Sequence, residues 1–133
     1  MRGMDHRRLR VMAVVLLVGS AAGCGFLIGA AAAGAAYAYV RGEGKQAFPV
    51  PLQTARDAVL GALSDLSLPV LHSDQDATSA KIKSDAGSGR DIVIVLTREG
   101  EKVTMISVRV GVFGDANYTR MIFDRIEDRL KLM

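Results

Sequence analysis

Between Val11 and Val40 the chain carries no Asp, Glu, Lys or Arg, an uncharged run that takes up residues 11–40 of 133. A helix needs about 20 apolar residues to cross the hydrocarbon core of a bilayer. The opening of the sequence therefore reads as a membrane or translocon segment before any globular fold is considered. The run is uneven. Val11 to Val18 is built from Val, Leu, Met and Ala, whereas the part after Cys24 passes from Gly25-Phe26-Leu27-Ile28-Gly29 into alanines broken by Gly34. Alanine and glycine favour insertion far less than leucine. The strongly apolar part is signal-sized.

Arg7, Arg8 and Arg10 precede that stretch, and Gly19-Ser20-Ala21-Ala22-Gly23 follows it. Basic, apolar and small-residue regions in this order are the grammar of a secretory signal peptide. The small residues lead straight into Cys24, the only cysteine in the chain. Ala21-Ala22-Gly23-Cys24 resembles a bacterial lipobox, with Ala where Leu, Val or Ile is commoner at the first position. That resemblance implies a signal peptide over 1–23, cleavage before Cys24, and acyl chains on its thiol and new amino group. One acyl chain anchors marginally, and two or three hold firmly. By the sorting rules of the lipoproteins it resembles, Gly25 in place of aspartate points to the outer membrane.

A second reading keeps 11–40 as an uncleaved single-span anchor. Gly25 and Gly29 have the GxxxG spacing that permits close helix approach in lipid, and Ala30 with Gly34 continues it. The simpler reading makes 24–46 a lipidated cysteine plus a Gly/Ala-rich membrane-proximal spacer. Tyr37 and Tyr39 would then sit at headgroup level, and Arg41-Gly42-Glu43-Gly44-Lys45 would be a polar linker. With the arginines ahead of the apolar segment, both readings put the C-terminal part outside the cytoplasmic membrane.

The net charge of +3 belongs to the leader, where four arginines face one aspartate; basic and acidic side chains balance over 24–133. Without clustered Lys/Arg there is no case for a nucleic-acid surface. Lys81 and Lys83 share one face of a strand and read as a solvated pair. One cysteine excludes an intramolecular disulfide framework.

Residues 47–133 are the expected folded domain. Phe48-Pro49-Val50-Pro51 is extended. Leu52, Ala55, Val59, Ala62, Leu63 and Leu66 form the stripe of an amphipathic helix. Leu68-Pro69-Val70-Leu71 is a short edge strand, and His72 to Ser79 is turn-rich. Ala80-Lys81-Ile82-Lys83, Ile92 to Leu96 and Val103 to Val112 complete an antiparallel meander, with Asp85-Ala86-Gly87-Ser88-Gly89 and Arg98-Glu99-Gly100-Glu101 as turns. In the last strand Thr104, Ile106, Val108, Val110 and Val112 share one face. Asp115 caps a final helix whose core stripe is Tyr118, Ile122, Ile126 and Leu130. The order strand, helix, four strands, helix predicts a two-layer α+β domain, with a four- to five-stranded antiparallel sheet under two helices on one face.

From Cys24 onward the sequence resembles a family of small proteobacterial lipoproteins of unknown function, DUF3568. The matching features are the Gly/Ala tract, Tyr37-Ala38-Tyr39-Val40, Phe48-Pro49-Val50-Pro51-Leu52 and Val108-Arg109-Val110-Gly111-Val112-Phe113-Gly114-Asp115. The resemblance implies a lipid-anchored envelope protein and no particular chemistry.

No catalytic or metal set emerges from the residues. His72-Ser73-Asp74 holds triad residue types, but adjacency is not triad geometry. Asp74, Asp76 and Asp85 lack the glycine and closing glutamate of an EF-hand loop. Gly87-Ser88-Gly89-Arg90 lacks the context and the lysine of a phosphate loop. The candidate interaction corner is Gly111, Phe113, Gly114 and Asp115: either a close-approach surface for a partner or a bend from strand to helix, with Phe113 as core plug or exposed anchor. The expectation is a non-enzymatic envelope lipoprotein with no cofactor beyond the lipid on Cys24. Membrane lipid, and another envelope protein met through the sheet or the corner, would be its partners. The alternative is a periplasmic carrier or sensor of an apolar small molecule between sheet and helices, which would need an unfilled pocket.

Overall fold

The computed structural model describes residues 37–133. The expected signal peptide, the lipobox residues Ala21, Ala22, Gly23 and Cys24, and the GxxxG segment lie outside the described residues. The elements are β1 (Ala38–Val40), β2 (Glu43–Phe48), α1 (Leu52–Asp65), β3 (Val70–Gln75), β4 (Ser79–Asp85), β5 (Asp91–Gly100), β6 (Val103–Val110) and α2 (Ala116–Lys131). The strands form one sheet in the order β1-β2-β6-β5-β4-β3, with every neighbouring pair antiparallel.

The α+β class and the two amphipathic helices agree with expectation. The strand count does not: the sheet has six strands rather than four or five. Residues 38–46, read from sequence as membrane-proximal tyrosines and a polar linker, are β1, a tight turn at Arg41-Gly42, and most of β2. Their inward positions explain the misreading. Gly44 lies under Thr119 and Phe123, and Gln46 Nε2 donates to Glu127 Oε1 of α2 at 2.9 Å. Neither residue gives an apolar alternation. Tyr37 is drawn into the domain too: its ring meets Phe123 edge-on at 5.1 Å, and the Arg120 guanidinium stacks on it at 4.7 Å. Burial, only partly offset by Arg120, pushes the Tyr37 phenol above its ordinary pKa.

β3 also outruns expectation, continuing through His72 to Gln75. It is an edge strand, largely exposed, so the pattern left by one buried face is missing. Pro69 and a register shift between Val70 and His72 blunt that edge against pairing with other chains.

α1 carries the chain from β2 across to the far edge of the sheet. Leu52, Ala55, Ala58, Val59, Ala62 and Leu63 are buried along it, one residue more than the expected stripe apart from the half-buried Leu66. The helix stops where Ser67 adopts a positive φ of 57°, and the Leu68 N–H returns to the Leu63 carbonyl at 2.8 Å. On α2, Thr119, Ile122, Phe123 and Ile126 are buried. These residues join Ile82, Ile92, Ile94, Leu96, Ile106, Val108 and Val110 in one core. Phe123 lies at its β2 end, stacked on Phe48 with ring centroids 6.4 Å apart. The opposite sheet face is uncovered by α1 or α2 and shows rows such as Lys81-Val95-Ser107-Lys45 and Lys83-Val93-Arg109-Glu43.

Two expectations follow. Phe123→Ala empties the junction of Tyr37, Phe48 and α2 and should lower stability by about 3–5 kcal/mol in chemical denaturation. Between the helices, Arg129 Nε donates to Asp65 Oδ2 at 2.6 Å. That hydrogen bond, and then the Arg129 charge, hold the Asp65 carboxyl below its ordinary pKa. A lowered folded-state pKa means the stabilisation is present above the unfolded value and lost as pH falls through the folded one. The wild-type advantage in melting temperature over Asp65→Asn should therefore be full at neutral pH and shrink below about pH 4.

Candidate functional site

The Gly111–Asp115 segment turns β6 into α2, and its geometry is set by contacts from β1, β5, β6 and the β1–β2 turn. Gly111 (φ 71°) and Gly114 (φ 81°) both occupy the left-handed region, which costs a residue with a Cβ but not glycine. The Gly111 N–H donates to the Asp91 carbonyl at 2.8 Å. Arg109 Nη1 donates to the Val112 carbonyl at 3.3 Å, and its Nη2 to the Arg41 carbonyl at 3.2 Å. One guanidinium thus clamps the corner to the β1–β2 turn.

At Gly114 the two backbones meet. A Cβ there would stand 2.5 Å from the Gly42 Cα and 2.6 Å from Tyr39 Oη, and a Cβ on Gly42 would stand 2.6 Å from the Phe113 carbonyl oxygen. The close approach that paired glycines imply is made within the chain. The strand-to-helix bend is therefore the role the structure supports for both glycines.

Asp115 is the N-cap of α2. Its Oδ1 accepts from the Tyr118 N–H at 2.9 Å and its Oδ2 from Arg90 Nη1 at 3.0 Å. The backbone donor first, with Arg90 adding to it, holds this carboxyl below the usual range. Arg90 also lies over the Tyr118 ring at 5.4 Å. Both functional groups are thus consumed in fixing the start of the helix.

What the corner leaves free is apolar. Phe113 is 93% exposed and Val112 82%. Phe113 is an outward aromatic, not a core plug. Val112, expected to extend the inward face of the last strand, has left it, because β6 ends at Val110. Beside them runs a cleft of about 480 Å³ along Gly89–Asp91, Val93 and Val110–Asp115. Fully burying Val112 and Phe113 would contribute about 1.5–3 kcal/mol each. Alone, that is a contact of roughly millimolar to tens of micromolar strength.

The other sequence candidates do not converge. His72 Nε2 and Asp74 Oδ2 meet at 2.5 Å on exposed β3, while Ser73 turns away and accepts from Arg56 Nη2 at 3.1 Å. Strand alternation thus separates the serine from the other two. Asp76 caps the β3–β4 turn through the N–H groups of Thr78 and Ser79, which lower its pKa. Asp85 accepts from the Gly87 N–H at the opposite end of β4. The three aspartates are not gathered, and among the described residues no group of three His, Cys, Asp or Glu is placed to hold a metal. Gly87-Ser88-Gly89-Arg90 is the β4–β5 hairpin turn, closed by the Ala86 N–H to the Arg90 carbonyl at 2.9 Å. A second cleft, about 360 Å³ between Gln46–Val50 and Glu127–Lys131, lies at the surface.

Sequence reasoning missed Gly42, Arg90 and Arg109 as parts of the corner. Arg41-Gly42 was a detectable turn signal, but nothing in spacing links it to a segment some 70 residues away.

Comparison with known proteins adds one finding. The family described as "Protein of unknown function (DUF3568)" matches residues 8–129. No curated protein matches the sequence.

A Gly114→Ala substitution tests the geometry. It places a side chain against Gly42 in a left-handed conformation and should cost about 1–3 kcal/mol in denaturant unfolding. Val112→Ala should leave stability almost unchanged, because that side chain packs on almost nothing.

Proposed function

The chain belongs to the DUF3568 family, and we propose that it is a membrane-anchored envelope lipoprotein whose domain acts by surface contact and catalyses nothing. The anchor would be acylated Cys24, with 1–23 removed as a signal peptide. Gly25 favours delivery to the outer membrane, with the domain facing the periplasm.

One observation carries the contact reading: an adjacent Val and Phe stand in solvent on a corner where the Asp115, Arg90 and Arg109 side chains are engaged in fixing its shape. Such a surface is suited to docking. The weak affinity of two side chains fits a protein whose tether supplies the effective concentration. A carrier of apolar small molecules finds less support, because the space between sheet and helices is filled with side chains.

Intact mass of the membrane-extracted chain tests the anchor, beside Cys24→Ala. Loss of residues 1–23 with added acyl mass, abolished in the variant, is the expected result. A full-length mass without acyl addition would replace it with an uncleaved span over 11–40.

A further inference from the structure

We infer that the Val112–Phe113 tip docks on the phospholipid bilayer that holds the chain, inserting shallowly between headgroups. The inference rests on the membrane-anchored reading and names what the corner touches.

Size argues first. A specific protein interface buries on the order of 800 Å² on each partner, whereas two neighbouring side chains on a tight turn offer far less. A bilayer accepts so small an apolar wedge, since it needs only depth and no complementary pocket.

The surroundings agree. The guanidinium groups of Arg90 and Arg109 stand at the base of the tip, where a headgroup phosphate would lie. Asp115 pairs with Arg90 and Glu43 with Arg109, and Asp85 accepts within its own turn, while Asp91 stays exposed on the cleft beside the tip. Guanidinium groups at that height suit the lipid interface.

Chain geometry agrees as well. The uncharged run of residues 11–40 ends in β1 itself. Only the stretch from Tyr37 to Gly42 separates that junction from the turn that packs on Gly114. At about 3.3 Å per residue this is at most roughly 17 Å. From acylated Cys24, 18 residues before Gly42, the chain spans at most roughly 60 Å at about 3.3 Å per residue, so the tether lets the tip reach the same surface. The corner is also pre-shaped by Gly111, Gly114 and the Arg109 clamp, so docking orders little new structure.

The chain contains no tryptophan, so Phe113→Trp gives a single emitter at the tip. Full-length protein would be reconstituted in phosphatidylcholine/phosphatidylglycerol vesicles, with Leu71→Trp on the exposed β3 edge as control. Expected are emission at shorter wavelength and loss of most intensity when lipids brominated near the headgroup are used, with the Leu71→Trp emission unaffected. Water-like, unquenched emission from protein that still floats with the vesicles would overturn the inference and leave the anchor intact. Short-wavelength emission without lipid quenching would put the tip against protein, such as a second copy, and also overturn it. Protein that fails to float would overturn both readings.

Discussion

Ile82, Ile92, Ile94, Leu96, Ile106, Val108 and Val110 lose essentially all contact with water where the sheet meets the two helices, and the rest of the domain is arranged around that seam. The seam exists because β5 and β6 repeat with period two and are rich in β-branched residues, which favours a pleated, half-buried surface. α1 closes it from one side while delivering β3 to the far edge. α2 closes it from the other and brings Phe123 down onto Phe48. β1 has no share in this core. It is held through pairing with β2 and through Tyr37 against Phe123.

That dependence separates what sequence reveals from what it hides. Thr104, Ile106, Val108 and Val110 advertise their face by alternation, and Ile122 and Ile126 advertise theirs by spacing. Residues of this kind gave the helices and the central meander. β2 stays silent because its inward positions are Gly44, Gln46 and Phe48, of which only one is apolar. The second half of β3 stays silent because an edge strand bathed in solvent has no reason to alternate. The corner shows its glycines and its helix cap but not its exposure. Whether Phe113 points in or out depends on the Gly42 contact and the Arg109 clamp, both made across the fold.

Rigidity and greasiness coincide at the corner. Exposed apolar side chains on a mobile loop would lose much of their binding free energy to ordering. Here the backbone beneath Val112 and Phe113 is bracketed by two left-handed glycines and held by Arg109, while Arg90 and Asp115 secure the helix that follows. The surface is weak in affinity but ready-made. Its use then depends on local concentration more than on the strength of each encounter.

The placement of β1 has a mechanical side. Any tension arriving through the residues ahead of Tyr37 first meets the Tyr37 ring packed on Phe123, and then the domain's shortest strand at the Ala38–Lys45 pair. Those three pairings can open one after another while the seam beneath the helices stays shut. The lengthening gained would be on the order of 10 Å at about 3.3 Å per residue. β1 would serve as a yielding link between the domain and whatever pulls on it, and its release would also free the Arg41-Gly42 turn from the corner it braces.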